Sequence, residues 1–338
     1  MKAAVLVRKG DPMSAFQIQE VPIPKPNENQ VLIKVSAFGL NFADVMARNG
    51  LYRDAPPMPA ILGYDVVGEV IEIVNDKDQH LLGKRVVAMT RFGGYAEYAI
   101  TDARACAIIA DSTPSAVAAA LATQYCTAYR AACESVHLFQ GDHILIHAAA
   151  GGVGTALSQI AKQKGCTIYG TAGSNEKFDY MKENGVDFPI NYRTQDYLKV
   201  IQNQGHKLQV AFNSIGGSTF KKDYTLLEKG GTSVLYGVAE RSGKKGGAVA
   251  TLQLAWKFGL MSPIQFLVNS KGVIGVNMLH IADYQPLIIQ RCLKAVVAMT
   301  ESKILEPRIG GEFSIHDIGK AHAFLESRQS VGKIIVSW

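Results

Sequence analysis

The hydrophobic pattern of the chain changes its period near residue 113. Before that point, short apolar runs alternate with polar residues and are separated by Gly, Pro and Asn turns, which is typical of β-strands. The pattern predicts strands at residues 3–7, 31–37, 66–74, 83–88 and 95–100. Short strands with glycine corners favour a partly open antiparallel barrel-like domain.

Beyond residue 113, apolar positions recur at helical spacing and alternate with short apolar strands. An Ala-rich stretch at residues 116–132 predicts a buried helix. The next strands are predicted at residues 143–147, 167–171, 188–190, 210–213, 232–236 and 272–276, with helices at 176–184, 196–204 and 218–227. This alternation predicts an α/β domain with a doubly wound parallel sheet. The final helices, 286–302 and 315–327, and a strand at 333–336 are expected to return to the first domain.

The stretch 141–165 has the sequence features of a phosphate site. A predicted strand is followed by Ala149-Ala150-Gly151-Gly152-Val153-Gly154, and a helical pattern begins at Thr155. Small residues let the backbone approach a ligand, and a helix N-terminus offers free N–H groups and a positive dipole end. Glycine-rich turns also serve packing alone, but the strand–turn–helix context indicates a dinucleotide site. We therefore expect a substrate-binding domain at 1–124 and 282–338, and a dinucleotide-binding Rossmann domain at 125–281.

The end of the second strand distinguishes between the two dinucleotides. An NAD site usually has an acidic residue about 20 residues past the glycine turn, where it binds the ribose 2′-hydroxyl. Here the strand ends in Ala172-Gly173-Ser174, with Lys177 shortly after it and Tyr192-Arg193 after the third strand. A cation and hydroxyl donors suit a 2′-phosphate, which predicts NADPH. The alternative is that Lys177 is a solvated helix residue, and the adjacent Glu176 counts against the phosphate.

Composition narrows the class of protein. The 338 residues are 48% hydrophobic and 19% charged, as in a globular chain of two domains. Five scattered cysteines form no C-x-x-C pair, so a reduced, cytoplasmic protein is expected. There is no run of 18 apolar residues, so no membrane span is expected. The net charge of +6 is spread along the chain and does not indicate nucleic acid.

Several motifs carry a resemblance to a known family. They are GLNFAD (39–44), NGLY (49–52), HAAAGGVG (147–154), GTAGSNEK (170–177), NY (191–192), SIGG (214–217) and LESR (325–328). Together the motifs span nearly the whole length, and the chain resembles the medium-chain dehydrogenase/reductase superfamily, in particular its zinc-free quinone oxidoreductase branch. The resemblance implies that the barrel-like domain is GroES-like. The region around Tyr236-Gly237 and the C-terminal third resemble the subgroup similar to a synaptic-vesicle membrane protein.

The resemblance implies chemistry without a metal. Zinc-dependent relatives have a thiolate and an imidazole at the positions of Asn41 and Tyr64, and neither an amide nor a phenol is a competent zinc ligand in that role. A quinone or another electron-poor, carbonyl-conjugated acceptor takes a hydride directly from nicotinamide when the two stack at about 3–3.5 Å. The implied activity is therefore that of an NADPH:quinone reductase.

The resemblance also implies roles for individual residues. Asn41 and Thr127 are expected beside the nicotinamide, and Tyr52 is expected to line the acceptor pocket and to donate a proton or hydrogen bond. The alternative for both Tyr52 and Tyr64 is a structural role as a packed aromatic side chain. The remaining residues expected to bind the cofactor are Gly151, Gly152, Val153 and Gly154 at the pyrophosphate, Gly173, Ser174, Lys177 and Tyr192 at the 2′-phosphate, and Val238 in a loop over the cofactor.

Other polar residues are expected to have structural or solvent-exposed roles. His147 is expected to make a local backbone hydrogen bond, and His316 and His322 to be solvated. The Gly- and Lys-rich segment 242–247 is typical of a solvated loop. Asn213 stands where relatives often have Asp, and Val238 where several have an aromatic residue.

Two other functions remain open. One is an alkenal or enone double-bond reductase, which differs only in substrate preference. The other is a cofactor-binding protein with little turnover and an RNA- or membrane-associated role, although no RNA-reading aromatic motif or basic stripe is present. The strand at 272–276 is expected to end the sheet, and a bare edge of this kind favours a homodimer.

Overall fold

The computed structural model describes residues 1–241, 247–259 and 261–338. The Gly- and Lys-rich segment, apart from Gly247, lies outside the described residues. The chain forms two compact units, one of Met1–Cys126 with Met278–Trp338 and the other of Thr127–Asn277. Within the described residues, no helix combines the length and apolar character that a membrane crossing requires.

The first unit begins with eight strands and three short helices. The strands are β1 (Lys2–Leu6), β2 (Phe16–Glu20), β3 (Gln30–Leu40), β4 (Ala60–Ile61), β5 (Asp65–Ile73), β6 (Arg85–Met89), β7 (Tyr98–Asp102) and β8 (Cys106–Ile108). The helices are α1 (Pro12–Ala15), α2 (Phe42–Arg48) and α3 (Ser115–Ala118). The strand predicted at 95–100 begins only at Tyr98, because Tyr95 and Ala96 pair with β1 instead.

The Ala-rich stretch is not the one regular helix that its composition predicts. It contains α4 (Cys126–Tyr129) between two π-helical turns, Leu121–Tyr125 and Arg130–Glu134. In the second of these turns, the Ser135 amide donates to the Arg130 carbonyl at 2.9 Å, a span of five residues. A run of small apolar residues has no periodicity that distinguishes an α-helix from a π-helix. Turns of this type often lie at functional sites.

The second unit is a parallel sheet with helical crossovers. Its strands are β9 (His143–Ile146), β10 (Thr167–Ala172), β11 (Phe188–Asn191), β12 (Leu208–Asn213), β13 (Leu227–Leu235) and β14 (Gly272–Gly275). Its helices are α5 (Gly152–Gln163), α6 (Phe178–Glu183), α7 (Tyr197–Asn203), α8 (Ser218–Leu226), α9 (Gly247–Phe258) and α10 (Pro263–Asn269). The order β11-β10-β9-β12-β13-β14, with every pair parallel, confirms the predicted Rossmann sheet. β13 begins at Leu227, earlier than predicted; the apolar pattern missed this part of the strand because Glu228 and Lys229 are polar and exposed.

The carboxyl-terminal segment lies in the first unit. It consists of α11 (Met278–Tyr284), α12 (Pro286–Glu301), β15 (Ile309–Ser314), α13 (Ile318–Glu326) and β16 (Lys333–Ser337). β16 pairs antiparallel with β3, which also pairs with β5. The predicted GroES-like fold is confirmed, with β15 and β16 as a parallel pair in an otherwise antiparallel sheet. These pairings bring the ends of β16, β3 and β5 together.

Candidate functional site

The glycine turn after β9 has no room for side chains. Gly151 is the N-cap of α5, and a Cβ on Gly154 would lie 2.4 Å from the Ala148 carbonyl oxygen. Ala148 itself takes a left-handed conformation, with φ of 52°. The first N–H groups of α5, on Gly152, Val153 and Gly154, have no acceptor within the helix. This turn therefore fits a phosphate group, which accepts such N–H bonds at a helix N-terminus.

A buried polar cluster lies beneath the turn. His147 Nε2 lies 3.0 and 3.1 Å from the two carboxylate oxygens of Asp223 on α8. The Tyr197 hydroxyl donates to the same carboxylate at 2.8 Å, and Asn213 Nδ2 donates at 2.5 Å. All four residues are buried. The predicted local backbone bond of His147 is therefore wrong, because its imidazole is paired with a carboxylate 76 positions away.

The cluster ties the strand ends to the turn. His147 Nδ1 lies 3.3 Å from Thr171 Oγ1 on β10, and the Thr171 carbonyl accepts from the Ala149 amide at 2.9 Å. Asn213 Oδ1 accepts the amides of Ile215 and Gly216, each at 2.8 Å, and so shapes the loop after β12. The ends of β9, β10 and β12 are thus held in one hydrogen-bonded group. Sequence reasoning missed Asp223, although it lies between Phe220 and Leu226 on the buried face of α8.

The end of β10 gathers cationic and hydroxyl groups. A Cβ on Gly173 would lie 2.8 Å from the Tyr192 hydroxyl and 3.5 Å from Arg193 Nε. Burial, and secondly the neighbouring Arg193 guanidinium, lower the pKa of Lys177, while Glu176 opposes this. Ser174 precedes the 3₁₀ turn Asn175–Lys177 in an extended conformation. The proximity of two cations and a phenol fits a phosphate dianion.

Thr127 and Val238, which are also expected to bind the cofactor, lie on other elements of this unit. Thr127 is buried within α4, between the two π-helical turns. Val238 is exposed and lies three residues past the end of β13, immediately before the 3₁₀ turn Ala239–Arg241.

In the first unit, Asn41 is the centre of a buried charged cluster. Its Nδ2 donates to Asp65 Oδ2 at 2.6 Å, and its Oδ1 accepts from Lys333 Nζ at 2.8 Å. Lys333 also forms an ion pair with Asp65. The side chains of Lys333 and Asp65 are 1% and 0% exposed. Sequence reasoning missed both partners, which approach Asn41 from β16 and β5.

Asp44 adds a second carboxyl to this cluster. Its Oδ2 accepts the Asn41 amide at 2.8 Å, and its own amide donates to the Asn41 carbonyl at 2.9 Å. Burial raises the pKa of Asp44 to about 7, with the nearby Asp65 adding to the effect and Lys333 opposing it. Burial likewise lowers the pKa of Lys333. The cluster thus holds a carboxyl group that titrates near neutral pH.

Aromatic rings lie in the same unit. The rings of Tyr52 and Tyr64 meet edge to face, with centroids 6.4 Å apart, and Phe92 lies 4.9 Å from Tyr64. Burial raises the pKa of both tyrosines, so each keeps its phenolic proton at neutral pH. His322 is fully buried against Tyr95, which corrects the prediction that it is solvated; His316 is exposed as predicted.

At the two positions where zinc-dependent relatives are expected to bind the metal, the side chains are the amide of Asn41 and the phenol of Tyr64. Across residues 1–241, 247–259 and 261–338, no three His, Cys, Asp or Glu side chains gather into a group that would hold a metal ion.

Comparison with known proteins finds similarity to dehydrogenase domains, to a VAT-1 homolog and to quinone oxidoreductases. The zinc-binding dehydrogenase family model matches residues 152–293, and the alcohol dehydrogenase GroES-like domain matches residues 27–111. The rat synaptic vesicle membrane protein VAT-1 homolog is 30% identical over 316 residues, which cover 93% of this chain and 78% of that protein. Human quinone oxidoreductase is 30% identical over 341 residues, covering 99% of this chain and 97% of that protein. The structure of Escherichia coli quinone oxidoreductase complexed with NADPH has a TM-score of 0.85 at 25% identity, covering all of both chains.

The cluster beneath the glycine turn predicts a large effect of Asp223→Leu. The substitution leaves His147, Tyr197 and Asn213 buried without their shared acceptor, so the free energy of unfolding should fall by about 3–5 kcal/mol. The control is Asp179→Leu at a less buried site on α6, which should change it by less than about 0.5 kcal/mol. Urea denaturation followed by circular dichroism measures both, and equal effects of the two variants would contradict the prediction.

Proposed function

The chain belongs to the medium-chain dehydrogenase/reductase superfamily, as its motifs predict, and on this basis we propose that it is a zinc-independent, NADPH-dependent quinone reductase. Its acceptor would be a quinone or another electron-poor, carbonyl-conjugated compound. The observation that carries the proposal is the group of two cations and a phenol at the end of β10. Lys177, Arg193 and Tyr192 form this group beside Gly173. The NADPH complex of the Escherichia coli quinone oxidoreductase supports it.

The proposed cofactor contacts follow the shape and charge of the second unit. The glycine turn from Gly151 to Gly154 would bind the pyrophosphate through its free N–H groups. Gly173, Ser174, Lys177 and Tyr192 would bind the 2′-phosphate, with Arg193 as a further cation. We further propose Val238 for the loop over the cofactor, and Thr127 and Asn41 for the nicotinamide. Bound NADPH supplies the hydride.

The protein's own part in the reaction is orientation and proton supply. A quinone that accepts a hydride needs one proton to become a hydroquinone. Tyr52 is half-buried, and the raised pKa of its phenol keeps that proton in place at neutral pH. We propose that Tyr52 donates it, or a hydrogen bond, to the acceptor oxygen and recovers a proton from solvent. An enone would use the same donor, which keeps the double-bond reductase as the near alternative.

A second candidate function is a cofactor-binding protein with little turnover at a membrane surface. Two observations favour it. One is the similarity to the VAT-1 homolog, whose name describes a synaptic vesicle membrane protein. The other is an exposed apolar surface on α9 and α10, which includes Leu252, Trp256, Ile264, Leu267 and Val268.

The same apolar surface also supports a homodimer. β14 is the last strand of its sheet and pairs only with β13 among the described residues. A bare strand edge favours pairing with an identical edge across a two-fold axis. On α10, Ile264, Leu267 and Val268 are exposed at a spacing that places them on one face of the helix, and an exposed apolar face of this kind usually marks an interaction site. We propose that a second copy pairs at β14 and covers α10, which connects directly to it.

Steady-state oxidation of NADPH in the presence of a chelator tests the reductase. We expect turnover with p-benzoquinone or a naphthoquinone, and we expect Tyr52→Phe to lower kcat by about 10²-fold, as loss of a general acid does. Tyr284→Phe is the matched control, because Tyr284 is exposed on α11. Faster turnover of enones than of quinones would favour the double-bond reductase. Binding of NADPH without turnover of either class would favour the second candidate.

Lys177→Ala tests the 2′-phosphate site. Loss of a charge-assisted hydrogen bond worth about 1.5–3 kcal/mol should weaken NADPH binding by roughly 10- to 100-fold. NADH lacks the phosphate, so its affinity should change little. Lys182→Ala, at an exposed position of α6, is the control and should change neither affinity. Equal losses for both nucleotides in calorimetric titrations would remove the assignment.

Sedimentation velocity at micromolar concentration tests the dimer. We expect a particle of twice the chain mass of 36.5 kDa, and Leu267→Lys should shift it to a monomer because it buries an unpaired charge at the interface. Leu287→Lys, at an exposed site on α12, is the control. A monomeric wild type would contradict the dimer, and a monomer that pellets with lipid vesicles would favour the membrane candidate.

A further inference from the structure

The side-chain amide of Asn41 lies between opposite charges. Its N–H donates to the Asp65 carboxylate at 2.6 Å, and its carbonyl accepts from the Lys333 ammonium at 2.8 Å. The residue is 4% exposed, and both charged partners are buried more completely. An exposed asparagine exchanges such partners with water, whereas a buried one keeps them.

The two charges permit only one orientation of this amide. A half-turn of the side chain would place the amide N–H₂ against the ammonium, which is a donor against a donor. It would also place the amide oxygen against the carboxylate, which is an acceptor against an acceptor. Both charge-assisted hydrogen bonds would become repulsions in a site with little water to screen them. The orientation therefore follows from the charges of Lys333 and Asp65.

The backbone fixes the three residues relative to one another. Gly39 pairs with Asp65 on one side and with Ile335 on the other, which places the ends of β5 and β16 beside the end of β3. A Cβ on Gly39 would lie 2.2 Å from Lys333 Cε. The lysine side chain thus runs against the bare backbone of β3. The position of the ammonium is set by packing as well as by charge.

Asp44 fixes the main chain of Asn41 in the same way. The Asn41 amide donates to the Asp44 carboxyl, and the Asp44 amide donates to the Asn41 carbonyl. The ionisable groups that act on Asp44 include Asp65, Lys333 and Tyr95. A side-chain amide has two N–H donors and two oxygen lone pairs, and the two charged partners of Asn41 use one of each.

We propose that Lys333 and Asp65 are positioning residues that lock the Asn41 amide in one orientation, so that it offers a fixed donor and acceptor to the nicotinamide. This inference rests on the proposed function, in which Asn41 lies beside that ring. Lys333 and Asp65 act through Asn41 and touch neither cofactor nor acceptor. Their effect is on the nicotinamide end of the cofactor and not on its adenosine end.

The double variant Lys333→Met/Asp65→Asn removes the lock with little change of volume. Removing both charges leaves no unpaired buried ion, which is the usual cause of instability when a buried pair is broken. The amide introduced at position 65 still offers hydrogen-bonding groups to Asn41, but it does so in either orientation. The matched control is Arg48→Met/Glu326→Gln, which removes another ion pair with a buried cation from the same unit.

Calorimetric titration with NADPH and with 2′-phospho-ADP-ribose, which lacks nicotinamide, separates the outcomes. The double variant should bind NADPH about tenfold more weakly, whereas its affinity for the nicotinamide-free fragment should not change. Its kcat with a quinone should fall. Its thermal unfolding midpoint should stay near that of the control variant. If it does not fold, the more polar pair Lys333→Gln/Asp65→Asn should show the same selective loss, because two neutral amides accept Asn41 in either orientation and leave no unpaired buried ion. A wild type that binds neither nucleotide would overturn the proposed function. A wild type that binds both, with variants that match it in affinity and kcat, would overturn this inference alone.

Discussion

Pairing of buried charges at the ends of strands is the constraint on which the rest of this structure depends. An isolated ion inside a protein costs far more free energy than folding provides, so it must find a partner of opposite charge and further hydrogen bonds. In the first unit Lys333 pairs with Asp65, and in the second the buried Asp223 carboxylate contacts His147 and accepts hydrogen bonds from Tyr197 and Asn213. Such pairs add little net stability compared with apolar residues, but they restrict how their neighbours are oriented. Here the restricted neighbours are the Asn41 amide and the glycine turn.

The sequence predicts the elements well because their hydrophobic periods differ. Alternation of apolar and polar residues predicted the strands of the first unit. Short apolar runs separated by segments with helical spacing predicted the parallel sheet of the second unit. The glycine turn was also predicted at its place between a strand and a helix, β9 and α5, whereas its binding of a phosphate remains a proposal. The predicted roles of Asn41, Tyr52 and Lys177 remain proposals, since they depend on a ligand's position.

The buried residues that support the site could not be predicted from the sequence, because their partners are distant along the chain. Lys333 lies 292 positions from Asn41, and its own neighbourhood reads as the start of an ordinary terminal strand. Asp223 lies between Phe220 and Leu226 on the buried face of α8, but that pattern does not name His147 as its partner, and His322 was predicted to be solvated. A local hydrophobic pattern shows that a polar residue lies on a buried face only when its neighbours are strongly apolar. It never shows the distant partner that makes the burial tolerable.

The charge balance of the Asn41 cluster favours a directional over an electrostatic part in the proposed function. Two carboxyls and one ammonium would carry a net negative charge if all were ionised. Burial raises the pKa of Asp44 to about 7, so this carboxyl takes up a proton near neutral pH, and the Lys333 ammonium is matched to Asp65. A nearly neutral cluster exerts only a weak field on a neighbouring group. What it does impose is geometry, because hydrogen bonds to charged partners are short and directional. In the proposed placement beside the nicotinamide, Asn41 would therefore discriminate between orientations of the ring without strongly favouring either of its charge states.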